Sequence, residues 1–176
     1  LFRASGMNEN ISGVILFDET LRQSAADGTF LKEVISKTGA LPGIKVDKGV
    51  SPINDSEEVL TGGLDGLEER CSEYEDLGAK FTKWRAVIKI GNDTPSQECI
   101  DANMQALASY AKIVQDHNMV PIVEPEVLMD GEHSAESCYD ATSKCLNSLF
   151  SNLSTNEVNI KGTILKPNMI LAGQDS

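Results

Sequence analysis

The sequence predicts an α/β fold, in which helices cover a parallel β-sheet that is either a barrel or an open sheet. Short apolar runs start roughly 30 to 40 residues apart, the spacing of strand-plus-helix units. The stretches between them carry helical patterns, and no hairpin signal joins successive runs. Such nearly continuous apolar strands are typical of parallel sheets buried on both faces. The five predicted strands are GVILF (13–17), PGIKV (42–46), KWRAVIKI (83–90), VPIVEP (120–125) and GTILKP (162–167).

Two long helices have clear start signals. Thr94-Pro95-Ser96-Gln97 is a capping-box pattern that would place Pro95 at the first helical position. The next helix begins near Ser134 and ends within SNLSTNE. In both helices apolar residues recur at the spacing that lines one helical face. These residues are Ile100, Met104, Leu107, Ala111 and Val114 in the first helix, and Cys138, Cys145 and Leu149 in the second.

Glycines mark the ends of two weaker helices and one loop. The helices are predicted at 31–38 and 67–77, and each is followed by a glycine, Gly39 or Gly78, that suits a helix C-cap. Gly62-Gly63 in TGGLDGL follows no predicted strand, so we interpret it as a loop and not as a phosphate-binding turn.

Length and composition predict one globular unit over residues 1–176 and limit its partners. A chain of 176 residues with 40% hydrophobic content can fill one sizeable core. Its 15 Lys and Arg against 27 Asp and Glu give a net charge of −12. Because this charge repels phosphate backbones and anionic membranes, we expect neither as a partner. An anionic ligand would need a local cluster of positive charge.

Cysteines, histidines and the first residues predict an intracellular protein without a zinc site. The four cysteines lack CxxC spacing, and LFRASGMNEN lacks the layout of a signal peptide, so we expect reduced thiols. No apolar run reaches the length of a membrane span. His133 and Cys138 lie near a predicted helix start but lack a third ligand, so metal binding is not expected there.

Charged residues collect at the ends of the predicted strands. Residues two apart in a strand point to the same face, so each charged pair faces one side of the sheet together. In a sheet covered on both faces, such charges must be paired or used. In α/β barrels the C-terminal ends of the strands carry the active site. The residues are Lys45 with Asp47, Lys83 with Arg85, Glu124 with Glu126, and Lys166 alone.

Two prolines fix the directions of two of these side chains. Pro125 follows Glu124 and Pro167 follows Lys166. The residue before a proline is held in an extended conformation. We therefore expect Glu124 and Lys166 to remain strand-like at the mouth of the sheet, where the missing proline N–H does little harm.

The cluster suggests amine chemistry at Lys166. A lysine pKa of about 10.4 leaves little free amine at neutral pH, but cationic neighbours and partial desolvation favour the neutral form. A neutral amine attacks a carbonyl to form a Schiff base. Glu124 and Glu126 are the carboxylates available for the accompanying proton transfers. The remaining cations suit phosphate groups.

Simpler interpretations exist for each residue. A single lysine at a strand end is usually a surface residue, and charged pairs on neighbouring strands are often structural ion pairs. The conjunction of such residues on successive strands favours a functional site. Trp84 points away from Lys83 and Arg85, so we expect it to pack against the helices.

The sequence around these residues resembles class I fructose-1,6-bisphosphate aldolase, the Schiff-base enzyme of glycolysis. The resemblance covers nearly the whole chain and implies a (β/α)8 TIM barrel. By this resemblance the family's first strand would precede residue 1 and its last two would follow residue 176. About five strand-helix units, the second to the sixth, would then form one partial barrel domain over 1–176. The segments are ISGVILFDETL, PGIKVDKGV, GLDGLEERC, FTKWRAVIKI, VPIVEPEVLMDGEH and GTILKPNM.

The resemblance also implies roles for the charged residues. Lys166 matches the Schiff-base lysine, Glu124 the general acid and base, and Lys83 the lysine that assists at the reacting centre. Lys45 and Arg85 match positions at a phosphate end of the sugar. The acidic positions of the same pocket are matched by Glu126 and Asp47.

The implied reaction is the reversible cleavage of fructose 1,6-bisphosphate to dihydroxyacetone phosphate and glyceraldehyde 3-phosphate, without a metal or cofactor. The implied partners are a phosphorylated sugar and, in the complete protein, three further copies in a homotetramer. The implied location is cytoplasmic, with the plastid as the alternative.

Two other interpretations of the sequence are a pyridoxal-phosphate barrel that uses Lys166, and a non-catalytic scaffold or interaction protein on an aldolase fold. Retention of the charged cluster weighs against the scaffold.

Overall fold

The computed structural model describes residues 2–54 and 56–176. Its strands are β1 (Gly13–Leu16), β2 (Leu41–Lys45), β3 (Val50–Pro52), β4 (Val59–Thr61), β5 (Phe81–Ile88), β6 (Val120–Val127) and β7 (Ile164–Leu165). Its helices are α1 (Met7–Asn10), α2 (Asp18–Arg22), α3 (Leu31–Ser36), α4 (Leu67–Asp76), α5 (Gln97–Asp116) and α6 (Ala135–Thr155). A 3-10 turn at Ile160–Gly162 leads into β7.

A five-stranded parallel sheet organises the fold, in the order β1-β2-β5-β6-β7. These are the five strands that the apolar runs predict, and consecutive strands of this sheet lie side by side. The register sets Lys45 of β2 beside Lys83 of β5, and Arg85 of β5 beside Glu124 of β6. The predicted parallel α/β sheet is confirmed.

A small antiparallel hairpin was not predicted. Its strands β3 and β4 pair Val50 with Thr61 and Pro52 with Val59. The expectation that Gly62-Gly63 follows no strand is therefore wrong, because β4 ends at Thr61, directly before Gly62. The hairpin strands are three residues each and β3 is exposed, so they lack the apolar alternation by which strands are recognised.

The start of α5 differs from the prediction by two residues. Ser96 is the N-cap, and its Oγ accepts a hydrogen bond from Cys99 N at 3.1 Å. Pro95 therefore precedes the helix and follows a cis peptide bond. The buried carboxylate of Glu58 accepts hydrogen bonds from Ser96 N and Oγ at 2.7 and 2.5 Å. This contact from the unpredicted hairpin fixes the cap at Ser96, as a side-chain acceptor satisfies a free N–H there.

The other predicted helices are found close to their expected bounds. α6 has Ser134 as its N-cap, and α3 and α4 are followed by Gly39 and Gly78, both with positive φ. The residues predicted to line one face of α5 and of α6 are buried. Although these two helices have 20 and 21 residues, no helix in the described ranges is apolar enough to cross a membrane.

The core lies between the sheet and α5, and Trp84 is at its centre. Exposure alternates along β5, so that Trp84 is fully buried on the helical side while Lys83 and Arg85 face the opposite side. The Trp84 and Tyr110 rings lie 5.3 Å apart, and the Tyr110 hydroxyl bonds Thr82 Oγ1 at 2.6 Å. The predicted packing of Trp84 is confirmed. It also fixes which face of β5 carries charge.

On the charged face, Phe81 lies two residues before Lys83 and covers the neighbouring strands. Its ring occupies the space that side chains at Gly13 and Gly43 would fill. Gly43 pairs with Phe81 in register, and this pair lies two residues before the pair of Lys45 and Lys83, on the same face of the sheet. The ring therefore forms an apolar floor beneath the charged residues.

Replacing Gly43 by alanine should destabilise the fold by about 1–3 kcal/mol, because the added Cβ would overlap the Phe81 ring. Gly62→Ala is the control, since its Cβ would meet nothing closer than 4.0 Å; its effect should stay within about 0.5 kcal/mol. Urea unfolding measures both variants, and Phe81→Leu should recover part of the Gly43→Ala loss. Equal unfolding free energies for the two alanine variants would contradict this packing.

Candidate active site

Four parallel strands bring the predicted site residues to one end of one sheet face. They come from the last residue of β2 and the loop after it, from the middle of β5, from the second half of β6, and from the position directly after β7. Parallel strands end at the same sheet edge, so the side chains meet there. In strand order the residues are Lys45 and Asp47, Lys83 and Arg85, Glu124 and Glu126, and Lys166.

The Glu124 carboxylate joins two lysines from its two neighbouring strands. Its Oε1 accepts a hydrogen bond from Lys166 Nζ at 2.5 Å. Its Oε2 lies 2.5 Å from Lys83 Nζ, an ion pair whose angles do not form a directed hydrogen bond. The side chain of Glu124 is 4% exposed, that of Lys83 16% and that of Lys166 54%. One buried carboxylate thus holds two ammonium groups at the mouth.

Contacts with the two lysines keep the Glu124 carboxyl ionised. Burial raises the pKa of the Glu124 carboxyl, but the close contacts with Lys166 and Lys83 and their positive charges outweigh burial and lower this pKa below its ordinary value. The group is therefore a carboxylate at neutral pH. It can accept a proton without first losing one.

A second ion pair lies closer to the strand ends. The Glu126 carboxylate accepts a hydrogen bond from Arg85 Nε and forms an ion pair with a terminal nitrogen of the same guanidinium. In register Glu126 lies opposite Val87, and Glu124 lies opposite Arg85. Each carboxylate of β6 therefore bonds the cation two residues below its partner on β5. Because Glu126 binds Arg85, the Glu124 carboxylate contacts Lys83 and Lys166 instead.

Lys45 and Asp47 form a third pair beside β5. Lys45 Nζ lies 2.5 Å from Asp47 Oδ1 and 3.2 Å from the Asp47 carbonyl oxygen. The Asp47 side chain is 6% exposed, and its Oδ2 is buried with no hydrogen-bond partner in the described residues. This arrangement holds the Lys45 ammonium at the same end of the sheet as Lys83, its neighbour in register.

The structure agrees with most of the sequence expectations for the geometry of the site and differs in two. Lys166 directly follows β7, as expected, and its N donates to Val123 O at 3.0 Å. Glu124 is strand-like but lies within β6, which continues past Pro125 to Val127, so the predicted strand end at this proline is not found. The simpler expectation of ion pairs between strands also holds. The expected partial desolvation of Lys166 is not found, because more than half of its side chain is exposed. A cationic neighbour is present, since Lys83 shares its carboxylate.

Two supporting residues were missed by sequence reasoning. Arg70 of α4 donates to the carbonyl oxygens of Val46 and Gly63, and so holds the chain between Lys45 and Asp47. Nothing in the pattern of a polar helix indicates that one arginine turns towards the sheet. Asn168, in the segment GTILKPNM, bonds β6 and α6. Its place two residues after Lys166 was the available signal.

Metal ligands are not grouped in the described part of the chain. No set of three or more His, Cys, Asp or Glu side chains lies close enough to hold an ion there. All four cysteines are free and buried.

A family model, relatives in sequence and a solved structure all indicate the same protein family for this chain. The family model "Fructose-bisphosphate aldolase class-I" matches residues 1–176. A "Probable fructose-bisphosphate aldolase class 1" of Xanthomonas axonopodis pv. citri (strain 306) is 52% identical over 96% of this chain and 51% of that protein. "Fructose-bisphosphate aldolase 4, cytosolic" of Arabidopsis thaliana is 49% identical over 100% of this chain and 45% of that protein. The chain spans about half the length of these relatives.

A solved structure agrees with the sequence relatives. It is a fructose-bisphosphate aldolase from Plasmodium falciparum, in complex with TRAP and a small molecule inhibitor. The two folds have a TM-score of 0.96 with 46% identity, over 99% of this chain and 51% of that one. The five parallel strands described above are therefore part of an aldolase TIM barrel, as the motifs predicted. Since the family model matches all 176 residues and the relatives are about half identical, the chain belongs to the class-I fructose-bisphosphate aldolase family.

Proposed function

We propose that the protein carrying this chain cleaves fructose 1,6-bisphosphate reversibly to dihydroxyacetone phosphate and glyceraldehyde 3-phosphate through a Schiff base on Lys166. The single observation that carries the proposal is the buried Glu124 carboxylate in contact with both Lys166 and Lys83. Such an arrangement places a nucleophile, a proton acceptor and a cation around one point. Membership of the family supports the same reaction.

Formation of the Schiff base begins with proton transfer. Glu124 Oε1 lies 2.5 Å from Lys166 Nζ and takes a proton from this ammonium group. The free amine attacks the substrate carbonyl carbon, and a proton moves from the nitrogen to the oxygen to give a carbinolamine. Glu124 returns its proton to the carbinolamine hydroxyl, which leaves as water. The C–O bond breaks, and the nitrogen lone pair forms the iminium.

Cleavage of the sugar uses the same carboxylate as a base. Glu124 removes the proton of the hydroxyl on the fourth carbon, and the electrons of the broken C–C bond pass to the iminium nitrogen. The products are an enamine on Lys166 and a free aldehyde. The ammonium group of Lys83, whose side chain is 16% exposed, lies 2.5 Å from Glu124 and stabilises negative charge on the reacting oxygens.

The remaining cations suit the phosphate of the substrate. Four cationic side chains face three carboxylates at this mouth, so the local balance is positive in a chain of net charge −12. Lys45 offers a partly exposed ammonium and Arg85 a planar fork for phosphate oxygens. We propose that phosphate displaces Asp47 from Lys45 and Glu126 from Arg85 on binding.

The wider setting of the reaction follows from the relatives. We propose a cytoplasmic protein, since some relatives are named cytosolic, and retain the plastid as the alternative. A homotetramer and a reaction without metal or cofactor remain predictions from the family resemblance. The scaffold reading gains no support, because the relatives compared here are named as aldolases.

Borohydride reduction in the presence of fructose 1,6-bisphosphate should attach the substrate to Lys166 of the protein purified at its full natural length. Peptide mass spectrometry locates the adduct. Lys166→Met should abolish labelling, because no amine remains to form the imine. Lys161→Met is the control, since Lys161 is an exposed lysine in the turn before β7. Labelling of another lysine, or of none, contradicts the proposal; a bound yellow cofactor would favour the pyridoxal-phosphate alternative.

Glu124→Gln should lower the free energy of unfolding by about 1.5–3 kcal/mol at neutral pH, since charge-assisted bonds to two lysines are lost. The folded carboxyl has a lowered pKa, so its contribution is full above the unfolded pKa of about 4.3 and disappears as pH falls through the lower folded pKa. The difference between wild type and variant should therefore be constant above about pH 5 and narrow below about pH 4.

Urea unfolding across this pH range measures the difference. Glu132→Gln is the matched control, because Glu132 is exposed, lies outside the helices and has no ion pair in the described residues. It should change stability by less than about 0.5 kcal/mol at all pH values. A gap between wild type and Glu124→Gln that widens in acid would show that the carboxyl is destabilising when ionised.

A further inference from the structure

Backbone pairing between β6 and the Lys166 segment stops at the site. Lys166 N donates to Val123 O, which is the last backbone hydrogen bond from this segment to β6; in the described ranges none joins β6 to residues 167–172. Pro125 contributes to the stop, because it has no N–H to donate. Strand N–H groups alternate between edges, so Pro125 removes a donor on the edge that faces β7.

The side chain of Asn168 replaces the missing backbone bond. Val127 N, two residues beyond Pro125 on the same edge of β6, donates to Asn168 Oδ1 at 3.2 Å. The next N–H of this segment, that of Leu128, donates instead to Ile88 O of β5 at 2.8 Å. Asn168 therefore restores the connection between the two strands immediately beyond Glu124 and Lys166.

The other end of the same amide is anchored in α6. Asn168 Nδ2 donates to Thr142 Oγ1 at 3.0 Å and approaches Cys138 Sγ at 3.8 Å. Thr142 and Cys138 are both buried. Asn168 Nδ2 also donates to Met169 O at 3.0 Å. The amide thus has its acceptor bonded to the sheet, one donor bonded to the helix and the other to its own segment, which leaves it one orientation. A side chain held in this way fixes its own backbone.

We propose that Asn168 is a positioning residue for the Schiff-base lysine, an inference that rests on the proposed function. The side chain of Lys166 is 54% exposed, so packing does not hold it, and its direction depends on the backbone that carries it. β7 has only two residues before Lys166, and the chain after it has no ladder. Loss of the Asn168 bonds would let Lys166 Nζ move relative to Glu124. A displacement of about 1 Å at a reacting group lowers rates by as much as about 10²-fold.

The competing view is that Asn168 only attaches α6 to the sheet. A structural role predicts lower stability with an unchanged reaction rate per folded molecule. A positioning role predicts slower Schiff-base formation, with the Michaelis constant little changed because the phosphate-binding cations are untouched. The two roles are therefore separated by kcat against KM and not by activity alone.

The test compares Asn168→Leu, an isosteric change that removes all these bonds, with Asn168→Asp, which keeps the acceptor for Val127 N. The full-length protein is mixed with fructose 1,6-bisphosphate and quenched with borohydride at increasing times, and the labelled fraction of Lys166 gives the rate of imine formation. Asn152→Leu is the matched control, since the Asn152 side chain bonds, among the residues that the structure describes, Ser148 of α6 alone. Thermal unfolding measures stability in parallel.

We expect Asn168→Leu to form the imine about 10- to 100-fold more slowly with KM within about threefold, and Asn168→Asp to recover most of the rate. Asn152→Leu should match wild type. If Asn168→Leu does not fold, Asn168→Ser, whose hydroxyl is too short to reach both partners, should show about a tenfold loss. Wild-type rates in the Asn168 variants would overturn the positioning role and leave the proposed function intact. Absence of label in wild type itself would overturn the proposed function.

Discussion

The Glu124 carboxylate, held between Lys83 and Lys166, is the interaction on which the site depends. It is buried, and an unpaired buried carboxylate is strongly unfavourable, so the fold must bring cations to both of its oxygens. The same requirement brings two amines from separate strands to one point. The ion pairs that the buried Glu124 carboxylate requires therefore also give the arrangement that imine chemistry needs. The same contact serves both stability and catalysis.

The rest of the fold fixes where that contact lies. Trp84 and the apolar face of α5 bind one side of β5, which forces Lys83 onto the other. Phe81 closes the charged face from below because Gly43 leaves room for its ring. Above it the backbone ladder between β6 and the Lys166 segment ends at Pro125, and the Asn168 side chain provides the next hydrogen bond. Order at the site therefore comes from the core beneath it and from polar contacts around it.

Sequence reasoning recovered those features that repeat along the chain. Apolar runs, helix faces and i, i+2 charged pairs have a period, so the parallel strands and the cluster around Glu124 were predictable. Features set by a single tertiary contact were not. Glu58 moves the cap of α5 to Ser96, and the hairpin that carries Glu58 has strands too short to recognise. The exposure of Lys166 likewise depends on its three-dimensional neighbours and not on its apolar sequence context.

The most direct test of this account is a crystal structure of the full-length protein at neutral pH without substrate. The account predicts that the Nζ atoms of Lys83 and Lys166 each lie about 2.7–2.9 Å from a different oxygen of Glu124, the distance of a charge-assisted contact. If either lysine instead bonds another partner and leaves its Glu124 oxygen to solvent, the shared carboxylate is not the organising contact, and the mechanism built on it is wrong.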